Sequence, residues 1–469
     1  MKTRSTIFLL VMVAALAAFV FFFEKKMPPT RKQNEKEHTL VQFDHSKITG
    51  LDITSGDSVL QLRKKDDQWM VVSPVQDRAN PEAITPILTE ASDIGRYEVV
   101  AQAESESKTR DALKDYGVLK AKVRLKLLGE GAPPEIHFGK DTAFEGKIYA
   151  RLDNEEAASI IKADLRNLLV KDLSDFRDRH LTQLEASDVG TVKFKTAAGE
   201  IVLQQTGENW NLQVPLKARA ANGKVLDLIS SVNSLQIQEF ITPETANLAK
   251  YGLAEPRGSI SFKGRDGDEE VTIEVGSPTE KDAEKVHARV VGRPSVFVLP
   301  KSIGVALGVK PNDLRDNKLT RITPDLIDRI TIEKPGLPKL VLTRKESDWV
   351  FLEGGQPADS GKVQRLIDIL NNTEAKNFVD DTAADLQPFG LDQPVLTIRL
   401  SSFSSENTAE ASKGETPLAT VQFGKTEGDS IFARLAEEPF VVSVGSGVLT
   451  NLPSTTEAFQ MGAPETATP

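Results

Sequence analysis

Apolar residues come at near-alternating positions at Ile48, Leu51 and Ile53, and the pattern returns at Val189, Val192, Phe194 and at Ile327, Ile330, Ile332. Successive side chains of a strand point to opposite faces, so this spacing predicts half-buried strands. Each is followed by LQLRKKDDQW (60–69), IVLQQTGENW (201–210) or LVLTRKESDW (340–349). Without a gap, the three share an apolar residue nine positions before Trp and Leu seven before it. An apolar run, a polar turn and a second run (WMVV, WNLQV, WVFL) predict a β-hairpin. Trp69, Trp210 and Trp349 open its returning strand, where a large amphipathic ring covers one end of a core. The period then changes. Ile84, Ile87 and Leu88, then Leu226, Ile229 and Val232, then Val363, Leu366, Ile367 and Leu370 fall at helical spacing, behind the N-cap types Asn80, Asn222 and Asp359 or Ser360. Each copy therefore carries one amphipathic helix laid by a single stripe on a sheet.

A third device follows each helix. Leu113, Tyr116, Gly117 and Val118 match Leu248, Tyr251, Gly252 and Leu253, and Leu386, Phe389, Gly390 and Leu391, with the glycines 135 and 138 residues apart. A short helix ending in Gly at the left-handed C′ position, then an apolar residue folding back on the last turn, has this pattern. Four more strands follow in every copy, ending in F-G-K or V-G-S and then A-R-(L or V), with connections too short for parallel crossovers. The expected fold is α+β: an N-terminal single transmembrane helix followed by three tandem repeats of a mainly antiparallel sheet, each with one packed helix. The boundaries read 1–24 for the span, 25–44 for a tether, 45–187, 188–326 and 327–454 for the three modules, and 455–469 for a disordered tail. Residues 401–417 read as a loop insertion particular to the third module.

Bulk numbers narrow the function. The 469 residues are 39% hydrophobic and 27% charged, which suits about three globular domains at ~150 residues each. Net charge is −10, and −13 once the basic first 26 residues are set aside, so nucleic acid is excluded as a partner. The absence of cysteine removes disulfides, thiolate nucleophiles and Cys-based zinc sites. Lys2 and Arg4 precede Ile7–Phe23, seventeen uncharged residues spanning ~26 Å as a helix, which reads as an uncleaved signal-anchor. Ala15-Leu16-Ala17 leaves cleavage by a signal peptidase as the competing reading. The anchor places the protein in the inner membrane, single-pass, with its bulk in the periplasm or extracytoplasmic space.

Repetition also weighs the chemistry. Arg151, Arg289 and Arg434 recur at one strand position in all three copies, which favours a structural ion pair or strand-edge contact over an anion site. His137 aligns with Glu274 and Gln422 at an outward strand position, His287 with Tyr149 and Phe432 in an aromatic slot, and His180 with Lys318. No two histidines come at ligand spacing, and no G-x-S-x-G, P-loop or dinucleotide fingerprint occurs. No catalytic, cofactor or metal residues are assigned, and the expectation is a non-enzyme. A motif found twice, Asp175-Phe-Arg177-Asp178 and Asp313-Leu-Arg315-Asp316, lies between modules and is absent after the third. It reads as a joint, with Arg177 and Arg315 pairing nearby carboxylates.

The ordered set of hairpin Trp, capped helix, Y-G-L corner, F-G-K strand, A-R strand and F-R-D joint over 45–454 resembles the bacterial family called domain of unknown function 4340. That resemblance implies a single-span envelope protein beside ABC-type transport or gliding-auxiliary components, acting as scaffold or accessory subunit through an envelope protein partner. A binding module for an envelope polymer such as glycan or peptidoglycan is the alternative. The oligomeric state stays open.

Overall fold

The computed structural model describes residues 38–100, 106–241, 245–267, 270–403 and 415–462. The apolar run Ile7–Phe23 and the tether up to residue 37 lie outside the described residues. Among the described residues no helix is long and apolar enough to cross a membrane.

The first copy contains β1 (Thr39–Gln42), β2 (Ile48–Ser55), β3 (Ser58–Lys65), β4 (Gln68–Ser73), β5 (Asp77–Arg78), α1 (Pro81–Ser92), β6 (Asp93–Gly95), β7 (Glu98–Val100), α2 (Glu106–Asp115), β8 (Val123–Gly129), β9 (Ile136–Asp141), β10 (Lys147–Leu152), β11 (Ala158–Lys162) and α3 (Asp164–Leu169). Its nine-stranded sheet runs β5-β4-β3-β2-β8-β9-β10-β11-β7, and every neighbouring pair with a defined register is antiparallel. The second copy contains β12 (Val189–Thr196), β13 (Gly199–Thr206), β14 (Asn209–Val214), β15 (Ala218–Arg219), α4 (Asn222–Asn233), β16 (Glu239–Phe240), β17 (Gly258–Gly264), β18 (Glu270–Pro278), β19 (Lys285–Val290), β20 (Phe297–Pro300), α5 (Ile303–Leu307) and α6 (Pro311–Leu314). The third contains β21 (Arg329–Glu333), β22 (Leu340–Lys345), β23 (Asp348–Phe351), α7 (Ser360–Asn372), β24 (Ala375–Asp380), β25 (Leu396–Phe403), β26 (Glu415–Glu427), β27 (Ser430–Leu435), β28 (Val441–Gly445) and α8 (Gly447–Asn451). Its order, β23-β22-β21-β25-β26-β27-β28-β24, is that of the first copy without the β5 edge.

Compactness does not follow the copies. One body takes the chain up to Gln183 with Val232–Ser259 and Val271–Gly304; the other takes Leu184–Ser231, Ile260–Glu270 and the residues from Val305 on. The second copy thus divides its strands, β15-β14-β13-β12-β17 belonging chiefly to one body and β18-β19-β20-β16 to the other, and each set repeats the order of the matching part of the first copy.

The cores follow the apolar pattern. Ile48, Leu51, Ile53 and Leu62 of the sheet and Ile84, Ile87 and Leu88 of α1 are buried in one cluster; Ile330, Ile332, Leu342 and the α7 stripe Val363, Leu366, Ile367 and Leu370 form its counterpart. In α4 the buried stripe is Val225, Ile229 and Val232, while Leu226, which the spacing placed inward, is 39% exposed. A stripe at i, i+4, i+7 shifts by one residue without changing the apparent period. Asn80 and Asp359 cap their helices by accepting from Glu82 N and from Gly361 N and Lys362 N. Asn222 sits one residue later: its side chain accepts from Trp210 N and donates to Glu208 O, bracing the hairpin and not capping the helix.

Further expectations need correction. Residues 39–44 are not tether, because β1 pairs with β6 and buries Leu40 and Val41. The 401–417 stretch is strand at both ends, with Ser401 opposite Pro417 and Phe403 opposite Glu415; residues 404–414 lie outside the described residues. The tail after 454 is folded as far as Gly462, with a short helical turn at Glu457–Phe459 and Phe459 fully buried. An aromatic ring among polar neighbours is invisible to periodicity, yet it fills a core slot. Residues 463–469 lie outside the described residues.

Candidate functional site

The glycine corners are built alike. Gly117, Gly252 and Gly390 have φ of 76°, 67° and 64°, where a Cβ is costly. Val118 N donates to Leu113 O, Leu253 N to Leu248 O and Leu391 N to Leu386 O, the bond that closes a left-handed helix cap. The glycine of the following F-G-K or V-G-S strand presses against the corner: a Cβ on Gly139, Gly276 or Gly424 would lie 2.4, 2.1 or 2.1 Å from the carbonyl oxygen of Tyr116, Tyr251 or Phe389. Tyr116 stacks on Tyr149 at 4.1 Å, and Tyr251 and Phe389 meet His287 and Phe432 at 5.0 and 5.2 Å. These residues hold the corner to the sheet.

Arg289 pairs with Glu274 at 2.5 Å, and Arg151 pairs with Asp153 at 3.3 Å and donates to the carbonyls of Asp153 and Glu155. Arg434 donates to Ala436 O. His137 is buried, not outward: one ring nitrogen lies 3.1 Å from Val118 O, and the other faces Glu135 and Asp153 at 3.5 and 3.7 Å. Among the described residues no cluster of His, Asp and Glu is arranged to hold a metal ion. Of the hairpin tryptophans, Trp210 and Trp349 are buried and Trp69 is half-buried.

The buried charge is concentrated at the joints. In the first, the linker forms a bridge through Arg177 to Ala79 on one side and through His180 to Gln236 on the other. Asp178 N donates to Arg78 O and Ile237 N to Arg179 O, so one extended segment laces two copies together. The Arg177 guanidinium, 4% exposed, meets Asp77 at 2.5 Å, donates to Ser295 Oγ at 2.9 Å and lies 3.8 Å from the Phe240 ring centroid. Arg293 reaches the same carboxylate at 2.9 Å. Asp178 accepts from His180 N and faces Arg78 at 3.2 Å, and Asp175 accepts from Asp172 N.

The second joint repeats the lacing with other charges. Ala220 bridges Arg315, Lys318 bridges Glu374, and Ala375 N donates to Asn317 O. Arg315 has a fully buried side chain, pairs with Asp381, and lies 3.6 and 4.5 Å from the rings of Phe378 and Phe440. Asp316 takes Arg219 at 3.5 Å and also Arg321, while Asp313 accepts from Lys310 N. The position of Asp77 is Ala218 here, and that of Arg293 is Glu438, which pairs with Arg219 at 3.2 Å. The anion has moved to the following copy's side, where it replaces the cation, while Arg219 keeps the place of Arg78. The space left at this joint is about 10 Å³, too small for a ligand.

Opposing forces set the charges. Burial would push the Asp77 carboxyl up, but Arg293 and then Arg177, by hydrogen bond and charge, outweigh it and hold the group below the usual carboxylate range. Burial pushes the Arg177 guanidinium below its ordinary value, which is so high that it stays charged. Glu438 is raised by burial against the pull of Arg219 and Arg315.

The outer sides of the third and first copies use parts of the same joint. Ala358 bridges Gln460 and Asp359 N donates to Phe459 O, as Asn80 N does to Phe176 O and Ala221 N to Leu314 O. Phe459 and Gln460 therefore stand where the joint has its apolar residue and Arg: the third copy keeps the plug and lacks the cation. In the first copy Arg96 N donates to His38 O, as Ile237 N does to Arg179 O, so β1 takes the place of the linker. Asp77, Arg293, Phe240, Phe378 and Glu438 escaped the sequence reading, and Asp381, which with Asp380 reads as a solvated carboxylate pair in a polar turn, is in fact the partner of Arg315; the dipeptides Asp77-Arg78 and Ala218-Arg219 before the shared Ala79 and Ala220 were the available signal.

Compared with known proteins, the chain is matched three times by the family model described as Domain of unknown function (DUF4340), over residues 69–212, 210–354 and 349–464. Each match begins at or beside a hairpin tryptophan, so the family unit is offset from the hairpin-first modules. No curated protein matches the chain.

Proposed function

We propose, proceeding from the fact that this chain belongs to the Domain of unknown function (DUF4340) family, that it is a membrane-anchored, extracytoplasmic and non-enzymatic scaffold or accessory subunit of an envelope complex, with an ABC-type transporter as the partner class. One observation carries the reading: Arg177, Asp77, Arg293, Arg315 and Asp316, the deeply buried charges at the joints, are engaged in lacing one copy to the next. Buried charges cost desolvation, and sites that do chemistry aim them at a cavity. Here they point at each other across the joints, where they fix register between copies. The apolar run Ile7–Phe23 behind Lys2 and Arg4 supports the anchor.

In-cell crosslinking of the full chain, followed by mass spectrometry of the membrane fraction, tests this against a control lacking Ile7–Phe23. Transporter or other envelope subunits should be recovered and should be lost in the control. A chain processed near Ala17, found soluble and crosslinked to no envelope subunit, would overturn the proposal.

A further inference from the structure

Repetition separates residues that build a copy from residues that do not. One corner of the first copy stands outside the shared pattern. Lys147 on β10 lies directly opposite Lys162 on β11, whereas the matching pairs are Lys285 with Pro300 and Ser430 with Gly445. Like charges directly opposed on antiparallel strands weaken a sheet, so the fold gains nothing from the second lysine. Two rings flank the pair: the Lys147 ammonium lies 3.8 Å from the Tyr97 ring centroid and 5.5 Å from that of Phe144. Phe144, in the turn between β9 and β10, is 64% exposed, and Tyr97 is 49% exposed. Tyr97 N donates to Ile160 O as Gln238 N does to Val298 O, so the second copy has glutamine there, and its matching turn, residues 279–284 (TEKDAE), has no aromatic residue.

We propose that this corner rests in the phospholipid headgroup layer of the membrane, with Tyr97 and Phe144 at the interface and Lys147 and Lys162 on lipid phosphates. The inference rests on the membrane-anchored reading above and adds a surface to it. Aromatic rings and lysines are what a water–lipid boundary selects. The corner also lies where the described chain begins, because His38 O accepts from Arg96 N, one residue before Tyr97. Fourteen residues, 24–37, separate His38 from the end of the apolar run, a reach of at most ~50 Å when fully extended. Glu90, Asp93 and Asp164 line the adjoining cleft of about 310 Å³ together with Arg96 and Lys162, so the corner is of mixed charge and not a basic patch. Its attraction is interfacial.

The absence of cysteine makes the test clean. A nitroxide on Glu145→Cys, beside Phe144, is placed in the full chain in vesicles of phosphatidylethanolamine and phosphatidylglycerol. Vesicle flotation and the ratio of oxygen to nickel-chelate collision rates are then measured. The label should report headgroup depth and should move to aqueous values in Tyr97→Ser/Phe144→Ser and shallower in Lys147→Gln/Lys162→Gln. A chain that floats with an aqueous label indifferent to these changes overturns the docking surface and leaves the anchor standing. A chain that does not float overturns the anchor, and the docking surface with it.

Discussion

Asp77→Ala is the sharpest perturbation of the joint, because it installs the residue that the second copy carries at the same position, Ala218. Arg177 and Arg293, with side chains 4% and 9% exposed, share that carboxylate and would be left facing each other without it. Removing one partner of a buried pair costs roughly 3–5 kcal/mol, because the remaining charge stays desolvated. Local opening should therefore increase by roughly two to three and a half powers of ten, at about 1.4 kcal/mol per decade. Hydrogen exchange at the amides of Asn80, Asp178 and Ile237, which bond across this joint, reads the effect directly. The amides of Ala221 and Ala375, which bond across the second joint, should hold their protection, since distant sites add independently. Asp77→Ala/Arg293→Glu would rebuild the charge set of the second joint, with Arg78 in the place of Arg219. It should recover at least about 1 kcal/mol, within the usual range for coupled neighbours. The reasoning fails if Asp77→Ala leaves the three amides within about 0.5 kcal/mol of the parent, the size of an ordinary surface change. It fails equally if the double variant is no better than the single one.

Gly424→Ala puts a Cβ 2.1 Å from Phe389 O, a backbone atom that cannot swing away, and should cost about 1–3 kcal/mol or more in urea unfolding. Gly223→Ala in α4 meets nothing within 4 Å and should stabilise slightly, by about 0.5–1 kcal/mol. Phe459→Ala removes a fully buried ring and should cost about 3–5 kcal/mol, and truncation before Thr455 should lower the unfolding midpoint in the same direction. A melting temperature unchanged by that truncation would return the segment to the status of a tail. The two joints should respond oppositely to acid. The lowered Asp77 contributes stability that is present above the unfolded value, near 3.8, and is lost as pH falls through its lower folded value. The raised Glu438 contributes stability that is present below its unfolded value, near 4.5, and is lost as pH rises through its higher folded value. Subtracting the pH–stability curves of Asp77→Asn and Glu438→Gln from that of the parent should give slopes of opposite sign, and like signs would refute the assignment.

What was legible in the sequence had a period. The hairpins, the helices and the corners follow from spacing and from glycines at positive φ, because in those places the local backbone dictates the residue. The joints did not show, for the opposite reason. Arg177 is 100 residues from Asp77 and Arg315 is 66 from Asp381, so the partners meet only after the chain between them has folded. The motif marked where charge would be needed and could not say which carboxylate would supply it. Exchange of chemistry between copies deepened the difficulty: aligning Arg293 with Glu438 and Asp77 with Ala218 looks like drift until the geometry shows each joint pairing its charges in its own way.

That exchange bears on what the chain is for. Three interchangeable copies could slip in register, since each edge would fit each linker equally well. Distinct charge sets remove the degeneracy: both linkers lay their arginine on an equivalent ring, Phe240 or Phe378, but the first meets Arg293 and Ser295 where the second meets Glu438 and Phe440. Placing the first linker against the third copy would set Asp77 beside the Glu438 position with one arginine fewer between them, an uncompensated buried anion of the kind that specificity is built on. The third copy differs again: Gln460 keeps the bridge to Ala358 that Arg177 and Arg315 make to Ala79 and Ala220, and brings no guanidinium to it.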